Sequence, residues 1–157
     1  MRLIYTLGTS NRSITEFIEI LKSHNIKTAI DVRSFPKSKR FPYFNGQTLK
    51  ELLKDEGINY FYLGKELGGF RKNGYEEYIK TEDFKKGIEK LEEIALVDLS
   101  VFFCAERLFF RCHRRFIAEA LSEKGWKVLH IVERDRVYEH KLALKQEIFS
   151  FEVKNEH

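Results

Sequence analysis

The sequence predicts an α/β protein in three layers, a mostly parallel sheet of about five strands with helices on both faces. Three observations predict it. Short apolar runs alternate with amphipathic stretches along the chain, the pattern of strand–helix–strand crossovers. The apolar runs end in polar or glycine-containing turns, after which a helical period begins. No internal repeat, low-complexity tract or linker interrupts this order. A chain of 157 residues of this kind is one domain over 1–157, with a less ordered tail expected after about residue 150.

Leu3–Leu7 reads as the first strand and ends at Gly8-Thr9-Ser10. Ser13 or Asn11 caps a helix whose apolar side carries Phe17, Ile18 and Leu21. Lys27–Val32 is the second strand, with Asp31 and Arg33 at its end. Ser34–Gly46 holds both prolines and reads as an irregular loop. Thr48–Glu56 is a helix closed by Gly57. Tyr60–Leu63 is the third strand, and Gly64–Gly74 a second long loop. Long ordered loops of this kind are usually functional or mobile. Tyr75–Lys80 and Phe84–Ile94 read as helices, Leu99–Cys104 as the fourth strand, Arg114–Glu123 as a helix and Val128–Val132 as the fifth strand. Beyond that the pattern weakens, and Lys141–Phe149 reads as a last helix.

Composition bounds the function classes. No apolar run is long enough to span a bilayer, and Met1–Tyr5 enters a strand without a signal-peptide pattern. Two cysteines make no disulfide framework, so a cytoplasmic chain with free thiols is expected. Lysine and glutamate are plentiful beside a single methionine, a thermophile-like balance that keeps a Cys104–Cys112 disulfide open. The net charge is +4. Lys37, Lys39 and Arg40, then Arg71 and Lys72, then Arg111, Arg114 and Arg115 form three basic stretches. If the fold gathers them, the ligand is an anion.

The segment Cys104–Arg114 is the most informative. It holds both cysteines, Glu106, His113 and several arginines between a strand and a helix. Open α/β sheets place ligands there, because strand ends open into a crevice and helix starts present free N–H groups. Cys104 is either a buried small apolar group or a thiolate stabilised by guanidiniums and a helix N-terminus. Cys112 leans toward the core by its spacing from Phe116. His113 suits proton transfer near neutral pH or bonds structurally to a carbonyl. Arg33 and Arg114 either grip an anion with a planar fork or pair internally with Asp31 or Glu106. If their strands are near neighbours, Asp31 and Glu106 face one crevice, where two carboxylates suit acid–base work or attack at a sugar carbon. Phe41-Pro42-Tyr43-Phe44 follows Lys39-Arg40, so Phe44 either stacks a base or anchors the loop. A metal reading uses Cys104, Glu106, Cys112 and His113, but a single C-x7-C-H cluster lacks the usual tight spacing. No metal or other cofactor is expected.

The motifs together resemble the DUF488 family, a group named for its unknown function. Thr6–Ser13 resembles its first strand and turn, Asp31–Ser38 with Arg40–Asn45 its second motif, Leu63–Gly69 its third, and Cys104-Ala105-Glu106 through Arg111–Arg114 its hallmark. His130-Ile131 resembles the end of its last strand. The family often has histidine where this chain has Thr9, and Pro-Trp where Leu108-Phe109-Phe110 stands. Bulk and apolarity persist there, so an aromatic lid is expected. The resemblance implies an α/β fold and a shared site. It places Ser38, Arg40 and Arg111 beside Arg33, Phe44 and Arg114 as candidate substrate-binding residues. The layout also partly resembles cysteine phosphatases, but the position those enzymes need as arginine is Phe110 here.

The favoured expectation is an enzyme acting on a phosphate-bearing substrate, a nucleotide or nucleic acid. Asp31 and Glu106 would handle protons or a sugar carbon, His113 would assist, Arg33 and Arg114 would hold the anion, and Cys104 would shape the pocket. The alternatives are thiol-dependent sulfur or phosphoryl transfer with Cys104 as nucleophile, and a non-catalytic nucleotide or nucleic-acid binding module. Expected partners are an anionic small molecule or nucleic acid and no membrane; the oligomeric state stays open.

Overall fold

A computed structural model describes residues 2–142. Its sheet has six strands: β1 (Leu3–Gly8), β2 (Thr28–Asp31), β3 (Asn59–Tyr62), β4 (Ser100–Cys104), β5 (Lys127–Glu133) and β6 (Arg136–Glu139). They lie in the order β3-β2-β4-β1-β5-β6, all parallel except β6. The sixth strand escapes the sequence reading because Arg136–Glu139 is largely exposed and carries little apolar pattern. It pairs antiparallel with β5 through a tight turn at Arg134-Asp135. The helix read at Lys141–Phe149 and the tail after 150 lie outside the described residues.

Helices cover both faces. α1 (Ile14–Ser23) starts at Ser13, whose Oγ accepts from the Glu16 N–H at 3.0 Å. It shares one face with α2 (Gly46–Asp55), and Phe17, Leu21, Leu49 and Leu53 meet Val101 and Phe103 there. The other face carries α3 (Gly64–Leu67), α4 (Tyr75–Tyr78), α5 (Glu82–Val97) and α6 (Arg114–Glu123). Their buried residues meet Ile4, Ile30 and Phe102. Thr81 caps α5, accepting from the Phe84 N–H at 3.2 Å. The short α3 replaces part of the loop expected over 64–74, because flanking glycines hide a single helical turn.

The order of strands decides where a ligand fits. From β1 the chain crosses to β2 and β3 on one side, then returns to β4 and crosses β1 to reach β5. The direction reverses between β1 and β4, which pair directly. At such a switch point the connecting segments leave in opposite directions and open a crevice beyond the strand ends.

One buried ion pair fixes the neighbouring edge. Asp31 ends β2 with no exposed surface. Its carboxylate accepts from Arg33 Nε at 2.9 Å and NH2 at 2.8 Å, from the Arg33 N–H at 3.1 Å, and from the Tyr60 hydroxyl at 2.5 Å. Asp31→Asn should cost about 3–5 kcal/mol, because it leaves a buried guanidinium without its anion. Tyr60→Phe should cost about 1 kcal/mol, the worth of one hydrogen bond. Urea unfolding of the two variants measures both.

Candidate functional site

A cavity of about 740 Å³ lies at this switch point. Its floor is the end of β4 and the start of α6, and its walls come from the two long loops. Gly8 lets the turn after β4 lie on the end of β1: a Cβ there would stand 1.9 Å from the Glu106 carbonyl oxygen. The Thr9 N–H reaches the Cys104 carbonyl at 2.8 Å, and the Ser10 N–H the Ala105 carbonyl at 2.8 Å. Gly69 does the same for the opposite loop, since a Cβ would approach His113 Nδ1 to 2.6 Å.

The two thiols meet on the floor. Both cysteines are free, and their Sγ atoms lie 2.6 Å apart. Cys104 is buried at the end of β4, and Cys112 is largely buried just before α6. Cys112 Sγ also accepts from the Arg114 N–H at 3.4 Å and lies 3.4 Å from His113 Nδ1. His113 Nε2 stands 2.8 Å from the Val32 carbonyl oxygen. A carbonyl only accepts, so Nε2 carries a hydrogen, and Nδ1 is the nitrogen turned toward Cys112.

The pair is electrostatically unequal. The hydrogen bond from Cys104 holds the Cys112 thiol well below the ordinary thiol range against the opposing effect of burial, and His113 and Arg114 act in the same direction. Burial pushes Cys104 up, and its bond to Cys112 adds to this. So Cys104 keeps its proton and donates it to a Cys112 thiolate, which also sits at a helix start.

Arg114 supplies the balancing charge from behind. It is 1 % exposed and lies behind the cavity wall. It donates from NH2 to the carbonyls of Glu106 at 2.7 Å and Arg107 at 3.1 Å, and from NH1 to Thr6 Oγ1 at 3.1 Å. Among the described residues no carboxylate pairs with it. A buried cation without an anion is costly, and a thiolate nearby lowers that cost.

The expected site residues divide by position. Cys104, Glu106, His113, Arg33, Ser38, Arg40, Phe44 and Arg111 all line the cavity. Asp31 does not; its oxygens are occupied by Arg33 and Tyr60, so two carboxylates do not meet there. Arg33 lines the wall with its guanidinium bonded to Asp31. Arg114 grips the protein's own turn rather than presenting a fork to the cavity. Ser38 builds its loop: its N–H reaches Asn45 Oδ1 at 2.5 Å, and its Oγ accepts from the Phe41 N–H at 3.0 Å. Phe44 packs edge-on to Phe17 at 5.3 Å in the core, so it anchors the loop and offers no stacking face. Glu106 is exposed, its Oε1 accepting from the Leu108 N–H at 3.2 Å.

The aromatic faces are elsewhere. Phe35, Phe70 and Phe110 line the cavity at 68 %, 75 % and 53 % exposure, with Phe35 and Phe70 rings 5.7 Å apart. Phe110 belongs to the expected lid, while Phe109 turns inward and stacks on His130 at 3.6 Å. Sequence reasoning passed over Phe35 and Phe70. A lone phenylalanine in a polar loop beside proline or glycine, with no helical or strand period to bury it, is the signal that marks them. Lys37, Arg40, Arg111 and Arg115 add four cations to the lining. Lys37 and Arg111 make no side-chain hydrogen bond or ion pair among the described residues. Arg71 is held by the carbonyls of Gly68 and Lys65 and by the face of Tyr78, away from the cavity.

Cys104, Cys112 and His113 offer soft-metal donor atoms within 4.8 Å of one another, and Glu106 lies outside that cluster. The guanidinium behind them opposes a cation at that point and favours an anionic sulfur.

A family model described as "Domain of unknown function DUF488" matches residues 13–121, most of the chain. No curated protein and no solved structure matches it. Among the described residues no helix is long and apolar enough to cross a membrane.

Alkylation tests the unequal pair. The thiolate is the reactive form, and a depressed pKa preserves it as pH falls. In the native protein iodoacetamide should modify Cys112 before Cys104, with a rate that stays flat from pH 8 to about pH 6. In the unfolded chain the rate should fall about tenfold per pH unit below about 8.5, the ordinary thiol value. Arg114→Met should shift the native profile upward, and peptide mapping of the alkylated cysteine reads both.

Proposed function

The chain belongs to the DUF488 family, whose description assigns no reaction, and on that premise we propose that it is a thiol enzyme acting on an anionic substrate. The cavity receives a ligand bearing phosphate or a similar anion together with a flat apolar part. Cys112 is the nucleophile, and His113 Nδ1 is the proton carrier beside it. The observation that carries this reading is the position of Cys112. Its sulfur touches a second thiol, an imidazole and a helix N–H on the floor of a cavity ringed with cations.

Each part of the lining supports a step. Lys37 and Arg111 meet the anion at the mouth, where their charges have no other partner among the described residues. Phe35 and Phe70 offer faces to a planar group such as a base. A volume of about 740 Å³ matches the size of small-molecule sites. Cys112 then attacks an electrophilic atom of the bound ligand, and His113 passes a proton between its Nδ1 and the leaving group. This departs from the carboxylate-pair expectation because Glu106 reaches the cavity without Asp31. It departs from the Cys104 expectation because Cys104 is the thiol that keeps its proton.

Nucleotide binding tests the ligand class. Affinity for mononucleotides and short oligonucleotides should fall as salt rises. Lys37→Ala with Arg111→Ala should weaken binding and flatten that salt dependence. Phe35→Ala or Phe70→Ala should cost ~1–3 kcal/mol of binding where a base stacks, while thermal stability holds because both rings are exposed. Cys112→Ser should keep binding and abolish turnover. Full turnover in Cys112→Ser, or binding indifferent to salt and to these residues, would overturn the reading.

A further inference from the structure

We propose that Cys104 and Cys112 form a working dithiol–disulfide couple, with Cys112 as attacking thiol, Cys104 as resolving thiol, and an anionic disulfide as substrate. This deepens the thiol-enzyme reading above and rests on it.

The geometry carries the proposal. Two reduced cysteines with sulfurs 2.6 Å apart need almost no rearrangement to join. They belong to different elements, Cys104 to the end of β4 and Cys112 to the approach to α6, linked by the turn 105–111. Their surroundings differ in the way an attacking and a resolving thiol require. Cys112 has His113 Nδ1 and the Arg114 N–H around its sulfur. Among the described residues the Cys104 sulfur has hydrogen-bond contacts with Cys112 and with the Glu106 carbonyl oxygen, at 3.7 Å, and burial outweighs the pull of Arg114 on it. The attacking thiol must be a thiolate near neutral pH, and the resolving thiol must stay protonated until its turn.

The steps balance. The Cys112 thiolate attacks one sulfur of R–S–S–R′, forming a Cys112–S–S–R bond as the S–S bond breaks. R′–S⁻ leaves and takes the proton that Cys112 had passed to His113 Nδ1. Cys104 then gives up its proton toward the His113 side and attacks Cys112 Sγ. The Cys104–Cys112 bond forms, R–S⁻ leaves, and it is protonated in turn. The substrate disulfide gains two electrons and two protons and becomes two thiols; the protein loses the same. A low-molecular-weight thiol returns the protein to the dithiol by the reverse exchange. The lining names the chemical class of the substrate. Lys37, Arg40, Arg111 and Arg115 favour anions, and Phe35, Phe70 and Phe110 favour a flat or apolar body.

The test uses 5,5′-dithiobis(2-nitrobenzoate), an aromatic dianionic disulfide whose released thiolate is coloured. The reduced full-length chain should release both aromatic thiolates per molecule and end lighter by two hydrogens, with peptide mapping placing the new bond between Cys104 and Cys112. Cys104→Ser should release one and keep the other as a mixed disulfide on Cys112. Cys104→Ala serves if serine disturbs the buried position, and the mass and peptide map of the wild-type product decide the matter without either variant. Cys112→Ser should react slowly. Neutral 2,2′-dithiodipyridine, an aromatic disulfide that also has a good leaving thiol, should lose less rate than the dianion as salt rises. A stable mixed disulfide on wild-type Cys112, with no internal bond, would overturn the couple while leaving the thiol-enzyme reading standing. A Cys112 that resists both this reagent and iodoacetamide in the native state would overturn both.

Discussion

Arg114 holds its guanidinium inside the protein on neutral oxygens, and much of the site follows from that. Two of its bonds go to the Glu106 and Arg107 carbonyls, so it pins the turn between β4 and α6 from beneath. A third goes to Thr6 on β1. One side chain of α6 thereby ties together the strands on either side of the switch point. Its charge has no carboxylate beside it among the described residues, and its Nε has no hydrogen-bond partner. The low-dielectric interior then makes a negative charge on the adjoining sulfur favourable. The structural clamp thereby adds to the lowering of the Cys112 pKa that its bonds with Cys104 and His113 begin.

The hydrogen bonds behind Arg114 run in one direction. A guanidinium only donates, so Thr6 Oγ1 accepts from it and turns its own O–H toward His130 Nδ1, 2.7 Å away. His130 then donates from Nε2 to His140 Nδ1 at 2.9 Å, and His140 donates from Nε2 to Glu119 at 2.9 Å. Burial drives the His130 pKa down to about 2, with His140 and Arg114 adding to it, so this imidazole stays neutral. A neutral ring can both accept and donate, which is what the chain of bonds requires. The Asp31–Arg33 pair shows the opposite solution. There a buried cation meets its own carboxylate, and the pair is electrically closed. One arginine is neutralised and positions a loop; the other leaves its field for the thiols.

The strand ends were legible in the sequence because they rest on local period. Asp31 and Cys104 were both placed at the rim of a parallel sheet from apolar runs alone, and Ser13 and Gly57 marked helix ends by their own capping chemistry. The thiols were legible as candidates but not as a pair. Their roles depend on a contact between a strand end and a helix start, with a turn between them whose path no period specifies. Helical spacing from Cys112 to Phe116 pointed Cys112 toward the core, and its burial agrees. What spacing could not show is that the core there contains a second sulfur and a guanidinium.

By itself the sequence determined the fold class, the five parallel strands in their order along the chain, and the segment where polar chemistry gathers. These follow from alternation and capping, which act between residues a few positions apart. Only the tertiary structure decided which polar groups face the cavity. Asp31 met Arg33 and Tyr60, Arg114 met a turn of backbone carbonyls, and Phe44 met Phe17, so three candidates turned inward. Phe35 and Phe70 found no apolar partner below them and remained at the rim. A buried charge or ring settles with whatever partner the packed elements bring to it, and those partners are distant in the chain. That choice is a property of three-dimensional packing, beyond the reach of spacing along the sequence.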